Sequence, residues 1–439
     1  MDGHSTVIHP LSGVTPLPQF ELWSVPGTQV SVAKDIVQEV RPFSTLSSGQ
    51  PIEFLVQSAV DEYINLSETY LSLRMKVELT RKDKPTLLEG DWGKIQLTKN
   101  FFHGLFSHVE LKIGDKQITA NPQNYHYRAF IDTLFGFTED AKHSHLHNVF
   151  WDPSGKERYY RRGPRDLSSE GPTFELMGRL HTDLTFQEKL LLGGCDLSVR
   201  LIPNKNAIIF HSDETPGLQP AIKIMSANLL VRKSKVFPSL ASAHAEALRT
   251  APARYPITRV EVKHQTIPAG MLDVSLNNVI RGQIPRRMFV AFIDNDIFNG
   301  DFSNRLYSFH HHDVNYLAAF VDGVQYPSQP FLPSFSEDLY MREFNELFVA
   351  LNQNRTDSYM RISYESFESP YCIFPFNLSP DLSNGPSLSG HVSPIKHGSL
   401  RLDLRFAKAP TKPLNVLMYC EFDNMIEIDE NRQAKTDYN

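Results

Sequence analysis

Arg128-Ala129-Phe130-Ile131-Asp132-Thr133-Leu134-Phe135 returns later in the chain, with one gap, as Arg342-Glu343-Phe344-Asn345-Glu346-Leu347-Phe348. Each copy follows a two-residue reversal, Gly114-Asp115 before the first and Asp322-Gly323 before the second. Beyond them, Asp183-Leu184 parallels Asp381-Leu382, and Leu197-Ser198-Val199-Arg200-Leu201 parallels Leu402-Asp403-Leu404-Arg405-Phe406. The landmarks keep one order at offsets of roughly 198 to 214 residues, which indicates one unit of about 200 residues used twice, with loop insertions absorbing the variation. The break falls near the helical pattern Ser239–Arg249, which Pro238 precedes.

The repeated unit reads as β. In Leu71–Leu79 the odd positions Leu71, Leu73, Met75, Val77 and Leu79 alternate with Ser72, Arg74, Lys76 and Glu78, one face apolar and one wet. Val109, Leu111 and Ile113 alternate with Glu110 and Lys112 up to the Gly114-Asp115 turn, and Leu400 to Phe406 and Leu414 to Phe422 show the same period. Helical patterns are confined to Tyr125–Phe137, Ser239–Arg249 and Glu337–Leu351. Many short strands in a unit of this length need their sheet edges managed, and two-sheet jelly rolls do that by folding strands back over one core. The expected fold is all-β: two tandem eight-stranded jelly rolls, with a few short helices between strands. Two unrelated sandwiches are the alternative. The expected division is an amino-terminal arm over 1–45, with a first edge strand within the same subunit as its alternative, a first jelly roll over 46–238, a linker helix over 239–254, a second jelly roll over 255–428 and a polar tail over 429–439. Residues 379–397, rich in Ser, Pro, Asn and Gly, read as one long loop.

Of the 439 residues, 44 are basic and 50 acidic, a formal net charge of −6. A mildly acidic chain lacks the summed positive field of a non-specific nucleic-acid coat. The three cysteines Cys195, Cys372 and Cys420 are far apart and odd in number, which fits neither a disulfide framework nor a paired metal site and suggests a reducing compartment. No stretch has the 18 or so consecutive apolar residues of a membrane span, and Met1–Pro10 lacks the apolar run of a signal peptide. A soluble, non-exported protein is expected.

The sequence carries no P-loop, H-E-x-x-H, G-x-G-x-x-G or G-x-S-x-G. Gly385-Pro386-Ser387-Leu388-Ser389-Gly390 is one residue too long for a nucleophile elbow. His143, His145 and His147 would share a face if Lys142–Val149 were a strand, but no carboxylate or thiolate stands beside them. In His310-His311-His312 successive side chains would point to opposite faces of a strand. Asp294–Asp301 resembles a calcium loop whose register fails at Phe298, Gly300 and Arg305. No catalytic residue, cofactor or metal site is therefore nominated. Two groups read as contact surfaces: Arg158, Tyr159, Tyr160, Arg161 and Arg162 within the basic stretch Lys156–Arg165, because Arg and Tyr are enriched at interface centres, and Phe20 and Trp23, with Leu22, as an apolar cluster on the arm.

Short segments also carry a family resemblance: Pro51–Val56, Tyr63-Ile64-Asn65-Leu66-Ser67 with Tyr70-Leu71, Tyr127–Ile131, Leu180-His181-Thr182-Asp183-Leu184, Ile293–Asp296 with Phe298-Asn299-Gly300, Leu400–Ala407 and Glu421-Phe422-Asp423-Asn424. In that order they resemble the major capsid proteins of Polinton (Maverick) elements and related adinto-like viruses. The Ser383–Lys396 loop departs from the family pattern. The resemblance implies a double jelly roll, a homotrimeric capsomer of pseudo-hexagonal outline, and an icosahedral shell around a double-stranded DNA genome. It further implies neighbouring capsomers, a single jelly-roll vertex (penton) protein and internal or minor shell proteins as partners, with no membrane span and no sequence-specific nucleic-acid binding. The expected location is the virion, assembled inside the host cell. Readings from other classes are a carbohydrate- or protein-binding β-sandwich module, which would present a shallow aromatic platform, and a cupin-like metalloenzyme, which would need His143, His145 and His147 to hold a metal.

Overall fold

The structure is a computed structural model that describes residues 11, 17–82, 87, 90–152, 170–212, 217–303, 305–354, 360–382 and 391–438. Alternation of apolar and polar side chains sets its strands. Within Glu62–Arg81 the residues Leu71, Leu73, Met75, Val77 and Leu79 are all buried, while Arg74 between them is exposed. The first unit contains β1 (Val32–Val40), β2 (Ile52–Val56), β3 (Glu62–Arg81), β4 (Phe106–Ile113), β5 (Lys116–Gln117), β6 (Glu170–Gly178), β7 (Leu197–Pro203) and β8 (Leu218–Val236). The second contains β9 (Ala253–Ile267), β10 (Asp273–Gln283), β11 (Arg287–Asp294), β12 (Val314–Val321), β13 (Val324–Phe331), β14 (Ile373–Asn377), β15 (His397–Phe406) and β16 (Leu414–Ile428).

Hydrogen bonding orders the first unit into antiparallel sheets β1-β8-β3-β6 and β2-β7-β4-β5, and the second into β9-β16-β11-β14 and β10-β15-β12-β13. Adding eight to every label of the first unit gives the second. Apart from the hairpins β4–β5 and β12–β13, consecutive strands switch between the two sheets of a unit, so each unit is a jelly roll, and the protein is a double jelly roll. The two turns fall at equivalent places, Gly114-Asp115 joining β4 to β5 and Asp322-Gly323 joining β12 to β13; Leu197–Leu201 and Leu402–Phe406 lie in the equivalent strands β7 and β15 but two residues out of register, since Leu197 sits opposite Ile113 and Leu400 opposite Val321 beside those turns. Helices α1 (Tyr125–Gly136) and α3 (Met341–Ala350) follow the two hairpins, and α2 (Pro238–Thr250) links the units.

Three expected boundaries change. Val32–Val40, placed in the arm, is the edge strand of the first sheet, with Val32 opposite Val236 and Val40 opposite Leu229. Only Val32, Ile36 and Val40 of this strand are even half-buried, so main-chain hydrogen bonds to β8 hold it and its side chains carry no period-2 signal. The expected polar tail is also built in. Ala434–Thr436 (β17) pairs with β16, and the buried Tyr438 donates its hydroxyl hydrogen to the Ile118 carbonyl of the first unit at 2.8 Å. The linker helix ends at Thr250 and β9 begins at Ala253, inside the stretch expected as linker. Of the expected loop over 379–397, residues 383–390 lie outside the described residues, and β15 already begins at His397.

The units meet over α1, which is buried on nearly every side. Tyr125 and Ala129 join the core of the first unit, while Tyr127, Phe130, Ile131, Leu134 and Phe135 join a cluster dominated by the second. The Phe130 ring stacks between Trp151 at 5.1 Å and Tyr307 at 4.0 Å. Both helix ends are held by the second unit: Asn124 donates to the Val262 carbonyl at 3.3 Å, and Gln353 donates to the Phe135 carbonyl at 3.0 Å.

The β12–β13 turn needs positive φ at both central residues, 48° at Asp322 and 87° at Gly323, and no atom lies within 4 Å of a Cβ built on Gly323. Gly323→Val is therefore expected to lower stability by about 1–2 kcal/mol through backbone strain alone, read as a lower urea midpoint with unchanged m-value.

Candidate assembly interfaces

The joint between the jelly rolls is built around charge taken out of water. Arg128, on α1, lies 2.6 Å through Nη2 from Asp183 Oδ1 and 3.6 Å through Nε from Asp132 Oδ2. Asp183 Oδ1 also accepts the Val260 N–H of β9 at 3.0 Å, and Asp132 Oδ1 accepts the Tyr419 hydroxyl of β16. One carboxylate pair of the first unit thus binds an arginine of its own unit and two groups of the other. Burial works against the Arg128 charge, but Asp183 and Asp132 outweigh it and raise the guanidinium pKa. Burial alone would raise the Asp132 carboxyl; the His181 hydrogen bond and Arg128 hold it below the ordinary carboxylate range.

Histidines back this node. His181 Nδ1 is 3.0 Å from Asp132 Oδ2, and the rings of His181 and His103 meet edge-on at 4.6 Å. The Tyr125 hydroxyl accepts the His181 N–H at 3.1 Å and lies 2.9 Å from His103 Nδ1. Burial pushes both imidazole pKa values down, His103 well below the ordinary value, so both are neutral in the fold. A second node lies on β11 and β16, where Arg286 and Arg287 share Glu421 at 2.8 and 2.7 Å, and Arg286 reaches Asp423 at 3.2 Å. Arg259 lies over the Phe422 ring at 4.0 Å and the Tyr438 ring at 4.9 Å and donates to Asn424. Three of the segments quoted for the resemblance, Tyr127–Ile131, Leu180–Leu184 and Glu421–Asn424, therefore converge here. Arg128, Asp132, His181, Asp183 and Tyr419 were not nominated as contact residues.

No family model matches the sequence. "Uncharacterized protein F54H12.2" of Caenorhabditis elegans is 21% identical over 427 residues, covering 94% of this chain and 99% of its own. Among solved structures, a chain of the Sputnik virophage superposes with a TM-score of 0.58 at 11% identity, over 99% of this chain and 94% of that one. The mavirus major capsid protein gives 0.54 at 11% identity over 99% and 97%, and the Faustovirus major capsid protein 0.57 at 6% identity over 92% of each. The chain has the fold of viral double jelly-roll capsid proteins.

Placed on the double jelly roll, the nominated contact residues separate. Arg158, Tyr159, Tyr160, Arg161 and Arg162 lie outside the described residues. Phe20 and Trp23 are 68% and 84% exposed, at and just after the turn Pro18–Phe20 that precedes β1. The histidine groups do not converge. His143 ends a short helix, Glu139–His143, and His145 and His147 lie on a following 3-10 turn, because Lys142–Val149 is helical and not a strand. His310 contacts Ser308 and Ser369, whereas His311 is near Asp313 and Glu368. Asn295–Asn299 is a short helix, not a calcium loop, and Gly385–Gly390 lies outside the described residues. Among the described residues no group of three His, Cys, Asp or Glu is placed to hold a metal, and no helix is long and apolar enough to cross a membrane. The three cysteines are free and buried. A cavity of about 480 Å³ opens on the first jelly roll; among the described residues its one aromatic lining residue, Phe106, is fully buried.

Arg128→Met leaves Asp183 buried beside a neutral side chain and is expected to cost about 3–5 kcal/mol in urea unfolding, with Arg128→Met/Asp183→Asn recovering part of the loss. The histidines set a pH dependence. Their folded pKa values lie below the unfolded value of about 6.5, so their contribution is present above that pH and lost as pH falls through it. The melting temperature should fall between about pH 7 and pH 5, and fall less in His103→Gln, as calorimetry would read.

Proposed function

We propose that this chain is a structural major capsid protein and not an enzyme. Three copies form a pseudo-hexagonal capsomer, and capsomers tile an icosahedral shell around a double-stranded DNA genome. The observation that carries this reading is the pairing of two jelly rolls of identical strand order over one buried joint, matched across 92–99% of the chain to the virophage chain and the two viral major capsid proteins above. Six jelly rolls from three chains approximate sixfold symmetry while keeping a true threefold axis, the shape that tiles a shell. Further partners in this reading are neighbouring capsomers, a single jelly-roll vertex protein and internal or minor shell proteins, and the protein's place is the virion, assembled inside the host cell. A formal net charge of −6 supports a shell that encloses nucleic acid without coating it.

Within this reading the basic stretch with Arg158, Tyr159, Tyr160, Arg161 and Arg162 lies at a capsomer contact. Phe20 and Trp23 dock on a neighbouring subunit or an internal shell protein, where burial contributes roughly 1.5–3 kcal/mol per side chain against the lost chain entropy. Light scattering and electron microscopy test the proposal. The wild type should give hexagonal trimers and, with its vertex partner, closed particles; a strictly monomeric protein would refute it. Arg161→Glu/Arg162→Glu and Phe20→Ser/Trp23→Ser should lower particle yield while leaving the melting temperature of the monomer unchanged, because like charges across a contact cost several kcal/mol and Phe20 and Trp23 are exposed within one chain.

A further inference from the structure

The two post-hairpin helices are covered unequally. A helix tolerates no insertion without rotating its faces, so α1 and α3 are compared at the constant offset that places Arg128 on Arg342. Tyr127, Phe130 and Phe135 of α1 meet Phe298, Tyr307 and Phe289 of the second jelly roll, and Ile131 and Leu134 lie in the same cluster. The equivalent positions on α3 are Met341, Phe344, Asn345, Phe348 and Val349. Met341 and Val349 are 59% and 39% exposed, Asn345 is exposed, and the two phenylalanines are half-buried. The opposite face behaves the other way. Ala129 and Thr133 are buried against the first jelly roll, and their equivalents Glu343 and Leu347 are buried against the second. Thus α3 covers the face that holds it to its own jelly roll, where Phe344 also meets Tyr364 and Phe367, and leaves Met341, Asn345 and Val349 of the stripe by which α1 grips a neighbouring jelly roll open. Leu339, 63% exposed, extends this open patch.

We infer that the open stripe of α3 docks on the first jelly roll of a second copy of this chain. The occupant follows from the joint already described: the surface gripped by α1 is the outer face of sheet β9-β16-β11-β14, with Phe289 on β11, and its repeat equivalent is the outer face of β1-β8-β3-β6. Among the described residues the outward side chains of that face are half-buried, as Tyr70 and Leu230 are, or exposed, as Arg74 and Val37 are. Leu230 of β8 sits opposite Tyr70 of β3 and Glu39 of β1, and Val37 of β1, 68% exposed, lies two residues from Glu39 on the same side. The contact is heterologous, patch to different patch. Such a contact closes only if its rotation completes a ring, and the three chains of the capsomer reading require each such step to be one sixth of a turn. The inference rests on the capsomer reading and assigns the surface that makes it.

Full-length protein tests it by size-exclusion chromatography with light scattering. Wild type should run as a trimer, and Met341→Glu/Val349→Glu as a monomer with an unchanged circular dichroism spectrum. A trimeric double variant overturns the assignment and leaves the capsomer reading standing, whereas a monomeric wild type overturns both. Should the double variant not fold, Asn345→Cys decides, since the native cysteines are all buried. In the trimer its maleimide labelling should be at least about tenfold slower than that of the exposed control Lys412→Cys, and equal rates overturn the docking.

Discussion

An arginine that cannot reach water fixes the angle between the two jelly rolls. Arg128 satisfies its charge only where Asp183 and Asp132 meet it, and those carboxylates also accept from Val260 and Tyr419 of the other unit. Buried ion pairs add little net stability over apolar packing, but breaking one is expensive, so such a node acts as a gauge of position. A shift of one jelly roll against the other would leave a charge unpaired in the interior. The aromatic stack around Phe130 supplies the burial energy, and the ionic node selects which packing is accepted. The outline of any assembly built from this chain is inherited from that angle.

Much of the architecture was legible because it recurs. A turn, a helix and a strand in fixed order mark a duplicated unit even where overall similarity has faded, and strands with one wet face, such as β3 and β15, declare themselves by alternation. Strand β1 was hidden for the opposite reason: its only half-buried side chains, Val32, Ile36 and Val40, stand four residues apart and write no alternation into the sequence, and its partner β8 lies about 200 residues away. The carboxyl-terminal segment misled through composition, since one alanine and one tyrosine among polar neighbours are enough to seat it.

The joint itself was half visible. Tyr127–Ile131, Leu180–Leu184 and Glu421–Asn424 were each notable in one dimension, yet nothing in the spacing of Arg128 and Asp183 says that they touch, or that Tyr419 completes the node from the far unit. Local rules pointed instead to the dense basic stretch Lys156–Arg165, because charge density is readable in sequence and long-range pairing is not. The two copies have also diverged physically. Strand β16 is buried along nearly its whole length, whereas the matching β8 keeps one side half open, as expected where one face is covered within the chain and the other is not.

The strand order carries a kinetic consequence. In each unit the earliest strand pairs with the latest, β1 with β8 and β9 with β16, so neither sheet can close until its final strand has been synthesised. Pairings this distant in sequence form slowly, and the nascent unit waits with β3 lacking a neighbour on its open edge. Helix α2 follows β8 directly. A helix of 13 residues thus stands between the last strand of the first unit and the first strand of the second, so the two late-closing sheets are not joined strand to strand.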